Sequence, residues 1–141
     1  MIDPDARSAA GRLATQSLTL RGAPFTPPAS RIAVFGAGLM GPGIAQVFAE
    51  TGFEVDLCDV SSAALSRGMA TLRDSVALKV ELNLIDEASA RAALAKVHSC
   101  DDGDGAIRRA ALVIEAVTEN REIKSDIYAR VFRLGGPQTV I

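Results

Sequence analysis

A glycine-rich turn between a short apolar run and a helix-forming segment limits the folds open to this chain more than any other feature. The apolar run Ile32-Ala33-Val34-Phe35 is followed at once by Gly36-Ala37-Gly38-Leu39-Met40-Gly41. A short apolar run ended by glycine is typical of a β-strand that is buried on both faces. The pattern G-x-G-x-x-G, directly after a strand and opening a helix, predicts a loop that binds phosphate groups.

Each glycine of this loop has its own expected role. Gly36 permits the tight turn out of the strand, Gly38 lets a pyrophosphate approach the backbone, and Gly41 lets the helix pack closely on the sheet. The first turn of the helix offers free N–H groups and the positive end of its dipole to the phosphates. A plain strand-to-helix turn that binds nothing would also need glycine, and this alternative stays open.

A second, independent feature is Asp59, which ends the second predicted strand at 54–59 and lies 18 residues beyond Gly41. An acid roughly 20 residues past such a loop accepts hydrogen bonds from the adenosine ribose hydroxyls of a dinucleotide. The next residues, Val60-Ser61-Ser62, include no basic side chain that could accept a 2′-phosphate. Asp59 therefore predicts NAD rather than NADP, the alternative being a solvated helix N-cap.

Strand and helix patterns alternate along the rest of the chain. The short segments 97–100, 112–115 and 139–141 are predicted strands, and amphipathic segments between them are predicted helices. This alternation implies βαβ units and an α/β fold with a doubly wound parallel sheet. The chain has 141 residues, about one domain, and its last run predicts that it stops within a fifth strand.

The helix predicted after the glycine loop covers residues 39–51 and ends at Gly52. Its large apolar residues are Ile44, Val47 and Phe48. We expect these three side chains to form the inner face of the helix, because an amphipathic helix buries its apolar stripe.

Composition excludes several classes of function. Fifteen basic against seventeen acidic residues and an aromatic content of 4% argue against a nucleic-acid-binding surface. No apolar run approaches the roughly 20 residues that span a bilayer. Cys58 and Cys100 have no partner at metal-ligand spacing, so we expect two buried thiols and neither a metal site nor a disulfide framework.

Residues 1–30 differ from the rest of the chain in their prolines, glycines and early acids, and have few periodic apolar positions. They contain no apolar core of a secretory signal, and Asp3 and Asp5 argue against an organelle transit peptide. We therefore expect a flexible N-terminal extension at 1–30, a domain at 31–141 and a cytoplasmic protein.

Three segments together resemble a known family. They are IAVFGAGLMGPGIAQVFAETGFEVDLCD at 32–59, LVIEAVTENREIKSDIY at 112–128 and TVI at 139–141. They are similar to the NAD-binding, Rossmann-type domain of the L-3-hydroxyacyl-CoA dehydrogenases, which include the 3-hydroxybutyryl-CoA dehydrogenases. The resemblance implies oxidation of (S)-3-hydroxyacyl-CoA to 3-oxoacyl-CoA in fatty-acid metabolism, with NAD as cofactor and an acyl-CoA as substrate.

Ten positions match cofactor-binding residues of this family: Gly36, Gly38, Leu39, Met40, Gly41, Asp59, Ala116, Val117, Glu119 and Lys124. The first five match the pyrophosphate loop, and Asp59 matches the ribose-binding acid. Ala116 and Val117 match the backbone that passes under the cofactor. Glu119 and Lys124 match residues near the nicotinamide end, for which an exposed, charged helix start is the alternative.

Ser75 falls where the family has a residue that contacts coenzyme A.

The resemblance also implies which parts of the enzyme this chain lacks. The family's catalytic histidine and glutamate, and the helical C-terminal domain that forms its dimer, lie downstream of residue 141. We therefore expect no catalytic residue in this chain, no turnover by it alone, and a homodimer only with that domain. His98, the single histidine, is expected to be structural.

Two other functions stay open. A dehydrogenase of a 3-hydroxy acid without coenzyme A, of the gulonate, carnitine or 3-hydroxyisobutyrate type, would share this domain, because substrate choice rests largely on the downstream domain. A non-catalytic NAD-binding module would share it as well, and would lack the downstream histidine.

Overall fold

Strands and helices alternate along residues 18–20, 22–27 and 29–141, the part of the chain that the computed structural model describes. The strands are β1 (Leu18–Leu20), β2 (Ala23–Phe25), β3 (Arg31–Phe35), β4 (Glu54–Cys58), β5 (Val97–Cys100) and β6 (Leu112–Glu115). The helices are α1 (Gly41–Glu50), α2 (Ser62–Glu81), α3 (Glu87–Ala95), α4 (Gly103–Arg109) and α5 (Arg121–Leu134).

Four of these strands form one parallel sheet in the order β5-β4-β3-β6. The chain runs outward from β3 to β5 and then returns to place β6 on the other side of β3. Val140 extends the sheet by a parallel bridge to Leu112, where the fifth strand was predicted. The α/β fold with a parallel sheet is confirmed, and its strand order reverses between β3 and β6, where ligands bind in such sheets.

The two faces of the sheet are covered by different helices. Ile32 and Val34 of β3 lie in a core cluster with residues of α1, α2 and α3. Ala33 and Phe35, which alternate with them, lie in a second cluster with residues of α4 and α5. Strand β3 therefore buries both of its faces, as its continuous apolar run predicts.

Helix α1 contacts the sheet through small residues. Gly41, Ala45 and Ala49 recur every four residues and are buried. The prediction that Val47 faces inward is wrong, because its side chain is 59% exposed. Ile44 and Phe48 are only partly buried beside the core. Small residues let the helix approach the sheet more closely than a stripe of large side chains would allow.

The described part of the predicted N-terminal extension is packed on the domain. Strands β1 and β2 pair antiparallel, and the Phe25 ring stacks on Phe53 with 4.7 Å between ring centroids. The Ser30 hydroxyl accepts a hydrogen bond from the Thr26 N–H at 3.1 Å. These residues thus contact the domain that is expected to begin at residue 31, while residues 1–17, 21 and 28 lie outside the described part.

A buried acid on β4 forms ion pairs with two arginines from other parts of the chain. Asp56 of β4 accepts hydrogen bonds from Arg31 Nε at 3.1 Å and from Arg109 Nη2 at 3.2 Å. Two cations compensate one carboxylate that is almost fully removed from water, as a buried charge requires.

Within the residues that the structure describes, no helix combines the length and the apolar character that crossing a membrane requires.

We predict that Phe25→Ala lowers the free energy of unfolding by about 3 kcal/mol, because it removes a ring buried against Phe53. Chemical denaturation followed by circular dichroism measures the change. Phe132→Ala is the matched control, since its ring is 95% exposed and its loss should change stability by less than about 0.5 kcal/mol. Equal effects of the two substitutions would show that the N-terminal hairpin does not contribute to the core.

Candidate cofactor-binding site

The glycine loop turns out of β3 at the carboxyl edge of the sheet. Gly36 has a φ of +105°, which side-chain-bearing residues rarely adopt. Its N–H donates a hydrogen bond to the Cys58 carbonyl at 2.8 Å. A Cβ at this position would lie 2.5 Å from the Ala116 carbonyl oxygen, so the loop after β6 requires glycine here. The tight-turn role predicted for Gly36 is thus visible in the backbone.

The rest of the loop leaves an open surface. A Cβ on Gly38 would meet no atom within 4 Å, and the side chains of Leu39 and Met40 are largely exposed. A Cβ on Gly41 would instead collide with the Gly36 carbonyl oxygen. Gly41 therefore serves helix packing, whereas no atom of the described residues occupies the space beside Gly38.

Helix α1 begins without a side-chain cap. Its N-cap residue, Met40, makes no such hydrogen bond. The other four described helices are capped by side chains of Ser61, Asp86, Asp102 and Asn120. The first N–H groups of a helix need acceptors. At α1 an anionic ligand can provide them, with added attraction from the helix dipole.

Asp59 joins the glycine loop to the start of α2. Its Oδ2 accepts a hydrogen bond from the Ala37 N–H at 2.9 Å, and its Oδ1 accepts one from the Ser61 N–H at 2.9 Å. The N-cap of α2 is Ser61, whose hydroxyl accepts from the Ala64 N–H at 3.2 Å, so Asp59 is not that cap. A carboxylate has about four acceptor positions, which leaves capacity for ribose hydroxyls.

The backbone after β6 lies directly against the Gly36 turn. Ala116 donates its N–H to the Phe35 carbonyl at 2.7 Å, and Val117 donates its N–H to Glu115 Oε1 at 2.9 Å. The atoms of Ala116 and Val117 border the position that a Cβ on Gly36 would occupy. The structure thus brings these two predicted site residues together with the glycine loop.

Lys124 lies between two acids at the same edge. Its Nζ is 2.8 Å from Glu119 Oε1 and 3.3 Å from Glu115 Oε2. Glu119 precedes α5, which begins at Arg121, and does not open it as predicted. The hydrogen bond with Glu119, and then the one with Glu115, raise the pKa of Lys124, so its ammonium form is favoured.

Ser75 is not the α2 residue that meets the glycine loop. That residue is Gly68, where a Cβ would lie 2.8 Å from the Ala37 carbonyl oxygen. Ser75 lies seven residues further along, which is about 10 Å along a helix axis. It is half-buried between Leu72 and Val76.

The single histidine lies toward the amino edge of the sheet. His98 Nε2 is 2.7 Å from Glu54 Oε2, at the start of β4. Hydrogen bonds from His98 and Lys96 lower the pKa of Glu54. This pairing gives His98 a structural role at the edge opposite the glycine loop.

The two cysteines occupy paired positions of β4 and β5. Cys58 and Cys100 are register partners, and both thiols are free. Cys58 is buried as predicted, and burial raises the pKa of its thiol. Cys100 is only half-buried, because β5 is the outer strand of the sheet.

Sequence reasoning missed two residues of the site. Gly68 interrupts an otherwise helix-favouring segment, and an isolated glycine in such a segment often has a packing reason. Glu115 is the one charged residue of the strand Leu112-Val113-Ile114-Glu115. A charge at the end of a buried strand is a signal that could have pointed to it.

Comparison with known proteins decides the family. The profile described as "3-hydroxyacyl-CoA dehydrogenase, NAD binding domain" matches residues 31–141. The chain belongs to this family. Family membership and NAD as its cofactor, both predicted from the resemblance, are confirmed.

Individual relatives agree with this family. Over 111 residues the chain is 34% identical to a 3-hydroxybutyryl-CoA dehydrogenase of Bradyrhizobium diazoefficiens, covering 79% of this chain and 38% of that protein. It is 40% identical over 110 residues to the 5-formyl-3-hydroxy-2-methylpyridine 4-carboxylate 5-dehydrogenase of Mesorhizobium japonicum, covering 78% and 35%. The chain therefore spans between a third and two fifths of these relatives.

A solved structure shows the same fold. The (S)-3-hydroxybutyryl-CoA dehydrogenase of Ralstonia eutropha superimposes with a TM-score of 0.73 at 32% sequence identity. The match covers 79% of this chain and 40% of the Ralstonia chain. The Rossmann-type sheet of the family is therefore present here.

We predict that Gly36→Ala lowers the free energy of unfolding by about 2 kcal/mol or more. The new methyl group would meet the Ala116 carbonyl, and alanine is strained at positive φ. Gly43→Ala is the matched control in α1, since its Cβ would meet open space. That change should stabilise the helix by about 0.5 to 1 kcal/mol. Urea denaturation of both variants makes the comparison, and an unaltered stability of Gly36→Ala would contradict the close approach.

Proposed function

We propose that this chain is the NAD-binding part of an enzyme that oxidises (S)-3-hydroxyacyl-CoA to 3-oxoacyl-CoA in fatty-acid metabolism. One observation carries the proposal. An uncapped helix N-terminus and the free space beside Gly38 lie next to the Asp59 carboxylate, at the reversal point of the strand order. Anion-binding N–H groups and a ribose-binding acid are the two elements that dinucleotide recognition needs.

The residues present fit NAD along the whole carboxyl edge. The backbone N–H groups of residues 38–41 would hold the pyrophosphate, and Leu39 and Met40 would flank it. Asp59 would bind the adenosine ribose. A carboxylate there repels a 2′-phosphate, so NAD should bind more tightly than NADP. Ala116 and Val117 would lie under the cofactor, with Glu119 and Lys124 toward its nicotinamide end.

The chain's own residues would bind and orient the cofactor. When bound, NAD supplies the acceptor for the hydride that leaves the hydroxyl carbon of the substrate. The oxidation also needs a base for the hydroxyl proton. His98 is held by Glu54 toward the opposite edge of the sheet. We therefore propose that the base belongs to a further part of the protein and that these 141 residues alone do not turn over substrate.

Further proposals follow for the whole protein. Its relatives are more than twice as long as the matched segment, which supports a further domain. We propose that this domain is helical, completes the acyl-CoA site and forms a homodimer. Ser75, which is half-buried on α2, would contact coenzyme A. Free thiols at Cys58 and Cys100, which are paired neighbours on adjacent strands, support a cytoplasmic location.

A second candidate function is oxidation of a substrate without coenzyme A. The Mesorhizobium relative, at 40% identity, is named for a pyridine carboxylate substrate. The glycine loop and Asp59 would serve either substrate class equally, because both recognise only the cofactor. Turnover assays of the complete protein on 3-hydroxyacyl-CoA and on free 3-hydroxy acids would separate the two.

We predict that Gly38→Ala weakens NAD binding by about tenfold or more, because a methyl group would occupy the space needed for the pyrophosphate. Its melting temperature should stay near that of the wild type, since the methyl group meets no protein atom within 4 Å. Isothermal titration calorimetry measures the affinity. Gly136→Ala, in the loop after α5, should bind NAD like the wild type, because its Cβ would make only an ordinary contact with Thr139 Oγ1 at 3.7 Å. Unchanged affinity in Gly38→Ala would contradict the proposed function.

A further inference from the structure

A carboxylate with both oxygens engaged ends β6. The Glu115 side chain is 9% exposed, and its Oε2 lies 3.3 Å from Lys124 Nζ. Its Oε1 accepts the hydrogen bond from the Val117 N–H at 2.9 Å. A carboxylate so far removed from water is stable only when it is paired and hydrogen-bonded, so both contacts must persist.

These two contacts connect three parts of the edge. Glu115 is the register partner of Phe35, the last residue before the glycine loop. Val117 lies in the loop after β6, and Lys124 lies on α5. The N atom of Val117 is 2.9 Å from the position of a Cβ on Gly36. The orientation of the Val117 peptide therefore determines which backbone atoms border the glycine turn.

Glu115 differs in this respect from the other acid that contacts Lys124. The Glu119 side chain is 91% exposed. An ion pair with such a side chain contributes little, because solvent screens it and both partners lose mobility. The restrained acid, Glu115, is therefore the one that can hold the Lys124 ammonium in place.

We propose that Glu115 is a positioning residue for the nicotinamide half of NAD. It holds the Val117 peptide against the Gly36 turn and the Lys124 ammonium beside it, while Asp59 holds the adenosine side. This inference rests on the proposed function, since it takes the carboxyl edge to be the NAD site. Glu115 itself touches the loop and the lysine and is not a catalytic residue.

The test compares NAD with ADP, which lacks the nicotinamide half, on the 141-residue chain. Glu115→Gln keeps an acceptor for the Val117 N–H but removes the charge that holds Lys124. We expect the dissociation constant for NAD to rise about fivefold. The constant for ADP should change by less than about twofold, because ADP uses the glycine loop and Asp59 alone. Calorimetry measures both ligands.

A matched control is Glu54→Gln at the opposite edge. Glu54 also holds two side-chain partners, Lys96 and His98, and its substitution should alter neither dissociation constant. Glu115→Asp keeps the charge but shortens the side chain by one methylene group. It should show the same NAD-selective loss, and it replaces Glu115→Gln in the comparison if that variant does not fold.

The outcomes separate this inference from the proposed function. Equal NAD affinity in the wild type and the Glu115 variants overturns the positioning role while leaving the NAD site intact. Equal losses for NAD and ADP overturn it as well, because they indicate a general structural effect. Absence of NAD binding by the wild-type chain overturns both proposals.

Discussion

Backbone packing around Gly36 is the constraint on which the rest of the structure depends. Its N–H is bonded to the end of β4, its α-carbon lies against the loop after β6, and its carbonyl is covered by the first residue of α1. One residue therefore sets the distances between two strands and a helix. Main-chain atoms fill these contacts and cannot adopt other rotamers, so the geometry tolerates little change at Gly36 or Gly41.

The same packing leaves the carboxyl edge both rigid and open. The packing of Gly36 and the hydrogen bond from the Ala37 N–H to the Asp59 carboxylate hold the glycine loop in place. Among the described residues, no side chain fills the space beside Gly38, and the N-cap side chain of α1 makes no capping hydrogen bond. Donors that are already in place lose little conformational entropy when a ligand arrives. The chemistry of the edge thus follows from the contacts that build the fold.

The fold and most of the candidate site could be predicted from the sequence because the residues that signal them lie close together along the chain. The glycine pattern, Asp59 and the alternation of strands and helices are short-range signals, and each predicts geometry that the structure contains. Phe25 could not be predicted, because its short strand has no periodic pattern and it packs on Phe53. The prediction for Val47 is wrong because large apolar side chains do not mark the buried face of α1, which buries its small residues. The contacts of Glu115 depend on three-dimensional proximity that one sequence does not show.

Amide chemical shifts of the ¹⁵N-labelled chain during titration with NAD test the central claim most directly. The claim is that NAD lies along the edge built around Gly36. The largest shift changes should then fall at residues 36–41, 59–61 and 116–119, with small changes elsewhere. Largest changes at the opposite edge, around Arg31, Glu54 and Val97, or no changes at saturating NAD, would contradict the account.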